Sequence, residues 1–143
     1  MEDKYNVAAD VWSVTSYNEL RREALHAERY NMLNPTETPK VPYITEVLKK
    51  EKDICVFASD EVKAMPDGLF KWIPLPCATL GTDGFGRSES REALRDFFEV
   101  DTRHIVFAAL GTLFKEKKIT SAVVKKAAKD LKINPGKLNP MIS

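Results

Sequence analysis

A layered α/β domain with a largely parallel sheet is the fold class this sequence predicts, and three observations predict it. Short β-branched or apolar runs alternate with amphipathic segments of helical period. One of those runs, Asp53-Ile54-Cys55-Val56-Phe57-Ala58-Ser59, is apolar throughout between polar ends, the pattern of a parallel strand buried on both faces. The composition is that of a globular domain: 143 residues, 43% hydrophobic, 30% charged and a net charge of +1. That balance excludes a disordered chain, and no apolar run reaches the ~18–20 residues that span a bilayer. Two cysteines and two histidines are too few for a disulfide scaffold or a structural zinc site. Met1 to Asn6 is charged and lacks the apolar core of an export signal, so the expected compartment is the cytoplasm, with Cys55 and Cys77 as reduced thiols.

The elements follow in order. Val7 to Val14 is β-branched and aromatic and reads as a strand. Ser16 with Glu19 three residues on is a capping-box signature, and Tyr17, Leu20, Ala24, Ala27 and Tyr30 recur at helical spacing, predicting a helix over 17–31. Asn34-Pro35, Pro39 and Pro42 impose an extended loop. A short helix is expected near 43–50, its terminal lysines facing the negative pole of the helix dipole. After the strand at 53–59, Pro66 and Gly68 interrupt one or two helical turns within 60–73. Cys77 to Leu80 is a third strand, leading into Gly81-Thr82-Asp83-Gly84-Phe85-Gly86, and Ser90 to Phe98 is helical. Asp101 is placed to cap a long helix over 102–117; its centre, Ile105 to Leu110, also suits a strand, but length and the lack of a breaker before Gly111 favour the helix. Thr120 or Ser121 opens a last helix with the stripe Val123, Val124, Ala127, Ala128, Leu131, with Pro135 and Gly136 expected to end it. Three strands are few beside five or six helical segments, since a sheet has ~5–6 strands on average. The expectation is that a strand–helix unit of this fold is missing upstream.

Candidate chemistry centres on the glycine loop. Gly81-Thr82-Asp83-Gly84-Phe85-Gly86-Arg87-Ser88 is one residue from a phosphate-binding G-x-x-x-x-G-K-[ST] loop and lies between a strand and a helix. Arg87 replaces the lysine, Asp83 sets a negative charge where phosphate would lie, and no later strand ends in a magnesium-binding aspartate. The other reading is a tight turn whose glycines permit positive φ, with Ser88 or Ser90 capping the next helix. His26 and His104 stand near no nucleophile elbow, so no catalytic residue and no metal ligand is assigned. Residues 115–143 hold eight lysines against two acids, a net +6, leaving −5 on residues 1–114. Without interleaved arginine or aromatic residues this reads as a solvated helix face, and nucleic acid is not an expected partner.

Longer motifs carry a resemblance. Ala9-Asp10-Val11-Trp12-Ser13-Val14-Thr15-Ser16 with Asn18-Glu19-Leu20, then Glu28 to Leu33, Pro39 to Ile44, Leu80 to Ser88, Arg91-Glu92, Phe98 to Asp101 and Asn139-Pro140 resemble, in order, the homodimeric pyruvate dehydrogenases. These are the thiamin-diphosphate-dependent, decarboxylating components of the pyruvate dehydrogenase complex. Glu61 and Glu89 depart from the residues usual in that family. The resemblance implies a single C-terminal domain of transketolase type over 1–143, three-layer α/β/α with a mostly parallel sheet, ending in a tail over 132–143. It further implies a parent enzyme that decarboxylates pyruvate on thiamin diphosphate and Mg2+ and acetylates the lipoyl group of the acyltransferase component. The family's Gly-Asp-Gly…Asn-Asn cofactor signature has no match here, so no catalytic, cofactor-binding or metal residue is carried over, and this segment by itself is expected to be inactive. Its expected partners are the upstream domains, the homodimer mate and the acyltransferase, not a membrane. The residues expected at the interdomain contact are Gly81, Asp83, Gly84, Phe85, Gly86, Arg87 and Ser88.

Overall fold

The computed structural model describes residues 1–143. Its centre is a two-stranded parallel sheet of β1 (Cys55–Ala58) and β2 (Cys77–Leu80), in register from Cys55 opposite Cys77 to Ala58 opposite Leu80. One face carries Cys55, Phe57 and Cys77 against a cluster of Ile44, Leu48, Leu69 and Ile73. Ile44 and Leu48 come from α3 (Tyr43–Leu48), while Leu69 and Ile73 flank a 3-10 turn (Phe70–Trp72) that follows α4 (Ala64–Asp67) between the strands. Tyr17 and Leu20 of α2 (Tyr17–Leu33) close it, with Tyr17 edge-on to the Phe57 ring at 6.2 Å. On the other side Ala58 meets Thr102 and Ile105 of α6 (Thr102–Lys115) across an open cleft. Helices thus cover both faces of the sheet, a three-layer α/β/α arrangement.

A second, smaller core lies behind α6. There Leu110 packs with Ala127 of α7 (Ser121–Asp130) and with Tyr5 of α1 (Glu2–Tyr5), flanked by Val106, Val123 and Leu131. The α7 stripe is therefore its buried face. Lys118 pairs with Asp53 at 3.0 Å and Lys137 with Asp96, while most other lysines of the basic segment lie on the surface. No helix is long and apolar enough to cross a membrane.

Most boundaries expected from sequence agree with the structure. Ser16 caps α2 by accepting the Glu19 N–H at 3.2 Å, although the Glu19 carboxylate bonds Arg22 rather than closing the capping box. Asp101 caps α6 as expected. The strand expected over 7–14 is a correction. Residues 7–15 make no backbone–backbone hydrogen bond, and Val11 and Trp12 are 96% and 58% exposed. β-propensity describes a residue that fits a pleated, half-buried surface, and in this chain neither sheet edge reaches the segment. The end of α7 is a second correction: Leu131 is its C-cap and Lys132 takes a left-handed φ of 54°. Ile133 N–H returns to the Ala128 carbonyl, so an αL stop ends the helix before Pro135 is reached. The two thiols are free, and burial, helped by neighbouring Cys55 and Asp67, pushes Cys77 up to about 11. It behaves as a small core hydrophobe rather than a nucleophile.

Candidate functional site: the glycine loop and its supports

The loop leaves β2 at its C-terminal end, where parallel sheets commonly present functional residues. Gly81 is buried, and a Cβ there would lie 2.6 Å from the Glu61 carbonyl oxygen. Close approach of two backbones is what requires glycine at this position. The approach lets Thr82 N–H donate to Glu61 O at 2.9 Å and its hydroxyl to Asp60 O at 2.5 Å. Asp83 accepts the Lys63 N–H at 3.0 Å and faces the Lys63 ammonium at 3.6 Å. The first half of the loop is thus fixed to the turn that follows β1.

The second half is held differently. Gly84 has φ +99° and lies beneath the tail, with its Cβ position 2.8 Å from Pro140 O. Gly86 has open space around it. Arg87 lies over the Phe97 ring at 4.4 Å and donates to the Ser143 carbonyl at 2.6 Å. Ser88 is exposed, and Ser90 is the residue that caps α5 (Arg91–Phe97), accepting Ala93 N–H at 3.3 Å. Phe85 contributes the outward side chain at 86% exposure. Of the residues expected at a contact, Asp83 and Arg87 therefore have partners inside the chain, and Phe85 is left facing outward.

Below the loop an open cleft of about 650 Å³ lies between the end of β1, α5 and the start of α6. Asp60 pairs there with Arg95 at 3.2 Å and Arg91 at 3.8 Å. Arg103 bonds both Asp96 and Asp101, and His104 Nδ1 lies 2.6 Å from Asp101 Oδ1. The ligand atoms of Asp96, Asp101 and His104 lie within 4.8 Å of one another, but the guanidinium of Arg103 already occupies both carboxylates, so the chemistry is that of a helix cap and ion-pair network. Although partial burial pushes the Asp101 carboxyl up, the His104 N–H, Arg103 and the His104 ring outweigh it and hold Asp101 below the usual range. A depressed carboxyl contributes stability above its unfolded value of ~3.9 and loses it as pH falls through the folded value. Asp101→Asn keeps a capping side chain. Its unfolding free energy is expected to fall less steeply between pH 5 and pH 3 than that of the parent chain, as denaturant titrations at each pH will show.

These residues do not fit thiamin diphosphate or Mg2+. The loop's Thr82 N–H is given to Glu61 and Asp83 projects a carboxylate on Lys63. At the start of α5 the Ser90 hydroxyl already takes the Ala93 N–H, so that helix start does not offer the row of free amides that cradles a phosphate. The same geometry disfavours a stand-alone nucleotide-binding loop. Sequence reasoning missed the tail over Gly84, the Lys63 clamp and the Asp60–Arg95 pair. All three join residues at least 20 positions apart, and no local pattern marks them.

A three-layer α/β/α unit with a glycine loop after its second parallel strand defines the class. The chain belongs to the transketolase-like TK C-terminal domain family, whose model matches residues 1–101. It is 44% identical over 140 residues to the pyruvate dehydrogenase E1 component of Escherichia coli K12, covering 97% of this chain. The corresponding proteins of Pseudomonas aeruginosa and Haemophilus influenzae are 42% and 44% identical over 99% of it. The chain spans about 16% of the length of each of these relatives.

Proposed function

We propose that this chain is the C-terminal domain of a pyruvate dehydrogenase E1 component, with a structural, domain- and dimer-contacting role. What supports the reading is the match over 97–99% of this chain to proteins of that name. The whole enzyme would decarboxylate pyruvate on thiamin diphosphate and Mg2+ bound by its other domains. It would then pass the acetyl unit to the lipoyl group of the acyltransferase component. The same reading implies a cytoplasmic homodimer. Calorimetry with thiamin diphosphate on the 143-residue chain is expected to give no one-site binding isotherm, and pyruvate no decarboxylation; either signal overturns the assignment.

In this reading the loop Gly81–Ser88 docks on the neighbouring cofactor-binding domains through Phe85, while Asp83 and Arg87 set its shape. An aromatic side chain 86% exposed gains from burial only when a partner covers it. Phe85→Ala should therefore leave the melting temperature of the 143-residue chain unchanged. In the full-length enzyme it should weaken domain or dimer association by about 2 kcal/mol, the range of a buried aromatic anchor. Equal dimer dissociation constants for the two full-length proteins would refute the contact.

A further inference from the structure

The glycine loop has almost nothing of its own to hold it. From Asp83 to Glu89 no residue makes a backbone–backbone hydrogen bond, and glycines at 84 and 86 widen the conformations open to it. Past Asp83, its second half is held by two other parts of the chain. One is α5, through Phe97 beneath the Arg87 guanidinium. The other is the stretch Asn134–Ser143. It turns over Gly136, whose N–H donates to Asn134 Oδ1 at 2.9 Å, and turns again at Asn139, whose Oδ1 accepts Met141 N–H at 3.0 Å. Its root is tied down where the Lys137 ammonium bonds the Asp96 carbonyl and lies 3.9 Å from its carboxylate. Its far end passes over Gly84 with Pro140 O and Met141 Cα at 2.8 and 3.0 Å from the Cβ position, and receives Arg87 on the Ser143 carbonyl at 2.6 Å.

We infer that Asn134–Ser143 is a strap that imposes the conformation of Gly84–Ser88: when the strap lifts, the loop loses its shape while the sheet and α6 keep theirs. The polarity of the contacts supports a device that opens. Lys137 and Arg87 are the two polar anchors, whereas Leu138 and Ile142 are 76% and 84% exposed and bury little. Local opening draws on segments with few buried apolar contacts and exposed hydrogen bonds. The strap stands on these contacts alone. That it controls whether the loop can dock rests on the reading above, and the test below reads loop order inside the chain rather than association.

Tryptic cleavage after Arg87 tests it, because a protease needs the segment opened and the rate follows the open population. In the full chain, deleting Pro140–Ser143 removes the acceptor of Arg87 and the cover of Gly84. Cleavage at Arg87–Ser88 is expected to speed up at least about fivefold, with cleavage after Arg103, inside α6, unchanged. The same rate at Arg87 in both chains overturns the strap. The truncation decides if the shortened chain keeps its helical circular dichroism and melting transition. If it does not, Lys137→Ala decides, since it frees the strap's root without touching the loop: faster cleavage at Arg87 supports the strap, an unchanged rate overturns it.

Discussion

Leu69→Ala is expected to cost about 3 kcal/mol of unfolding free energy and about 10 °C in melting temperature. Leu69 has 0% exposure and sits among Ile44, Leu48, Phe57 and Ile73, where α3, the turn after β1 and the sheet meet. Truncation removes the transfer energy of the lost methyls and leaves a cavity that the neighbouring side chains fill only in part. Leu138→Ala is the control: its side chain is 76% exposed, so its loss should stay within about 0.5 kcal/mol. Urea unfolding of the two variants checks the pair. A Leu69→Ala chain as stable as the parent would mean that this cluster is not the core.

Gly81→Val is expected to destabilise by about 3 kcal/mol, the upper end for forced overpacking. The obstacle is the Glu61 carbonyl at 2.6 Å, with Lys63 N at 3.0 Å. Backbone atoms cannot turn aside as the end of a long side chain can. Relief would need the loop to leave the turn after β1, breaking the Thr82–Glu61 and Asp83–Lys63 bonds. Gly86→Ala meets nothing within 4 Å and has no positive φ. It should be neutral or raise stability by up to about 1 kcal/mol through the unfolded state. Thermal melts that showed equal losses at positions 81 and 86 would contradict this division of the loop.

Much of the fold is legible in the sequence where the determinant is local. Ser16, Ser90 and Asp101 carry cap chemistry within three residues of the amides they bind, so those helix starts can be read directly. The β2 strand and the α7 stripe are equally plain. What is not legible depends on a partner in space. Val7–Val14 has strand composition but no ladder, because a strand is completed by its neighbour rather than by its own residues. The end of α7 differs from the sequence expectation for a smaller reason: Pro135 and Gly136 are visible breakers, and nothing in a lysine announces the left-handed φ at Lys132.

The candidate site divides in the same way. Motif residues from Leu80 to Ser88 are part of the ordered series of motifs along the chain that carries the family resemblance. Their separate tasks are decided by the tertiary structure: Gly81 admits a carbonyl, Asp83 holds Lys63, Gly84 passes under the tail, Arg87 rests on Phe97, and Phe85 faces outward as the exposed aromatic side chain of the loop. The sequence by itself determined the layered α/β class, the kinship and the position of the loop, because periodicity, caps and motifs act over a few residues. Only the tertiary structure decided which loop residues support and which present. That depends on Glu61, Lys63, Phe97 and Pro140 arriving from elsewhere in the chain, and packing alone brings them there.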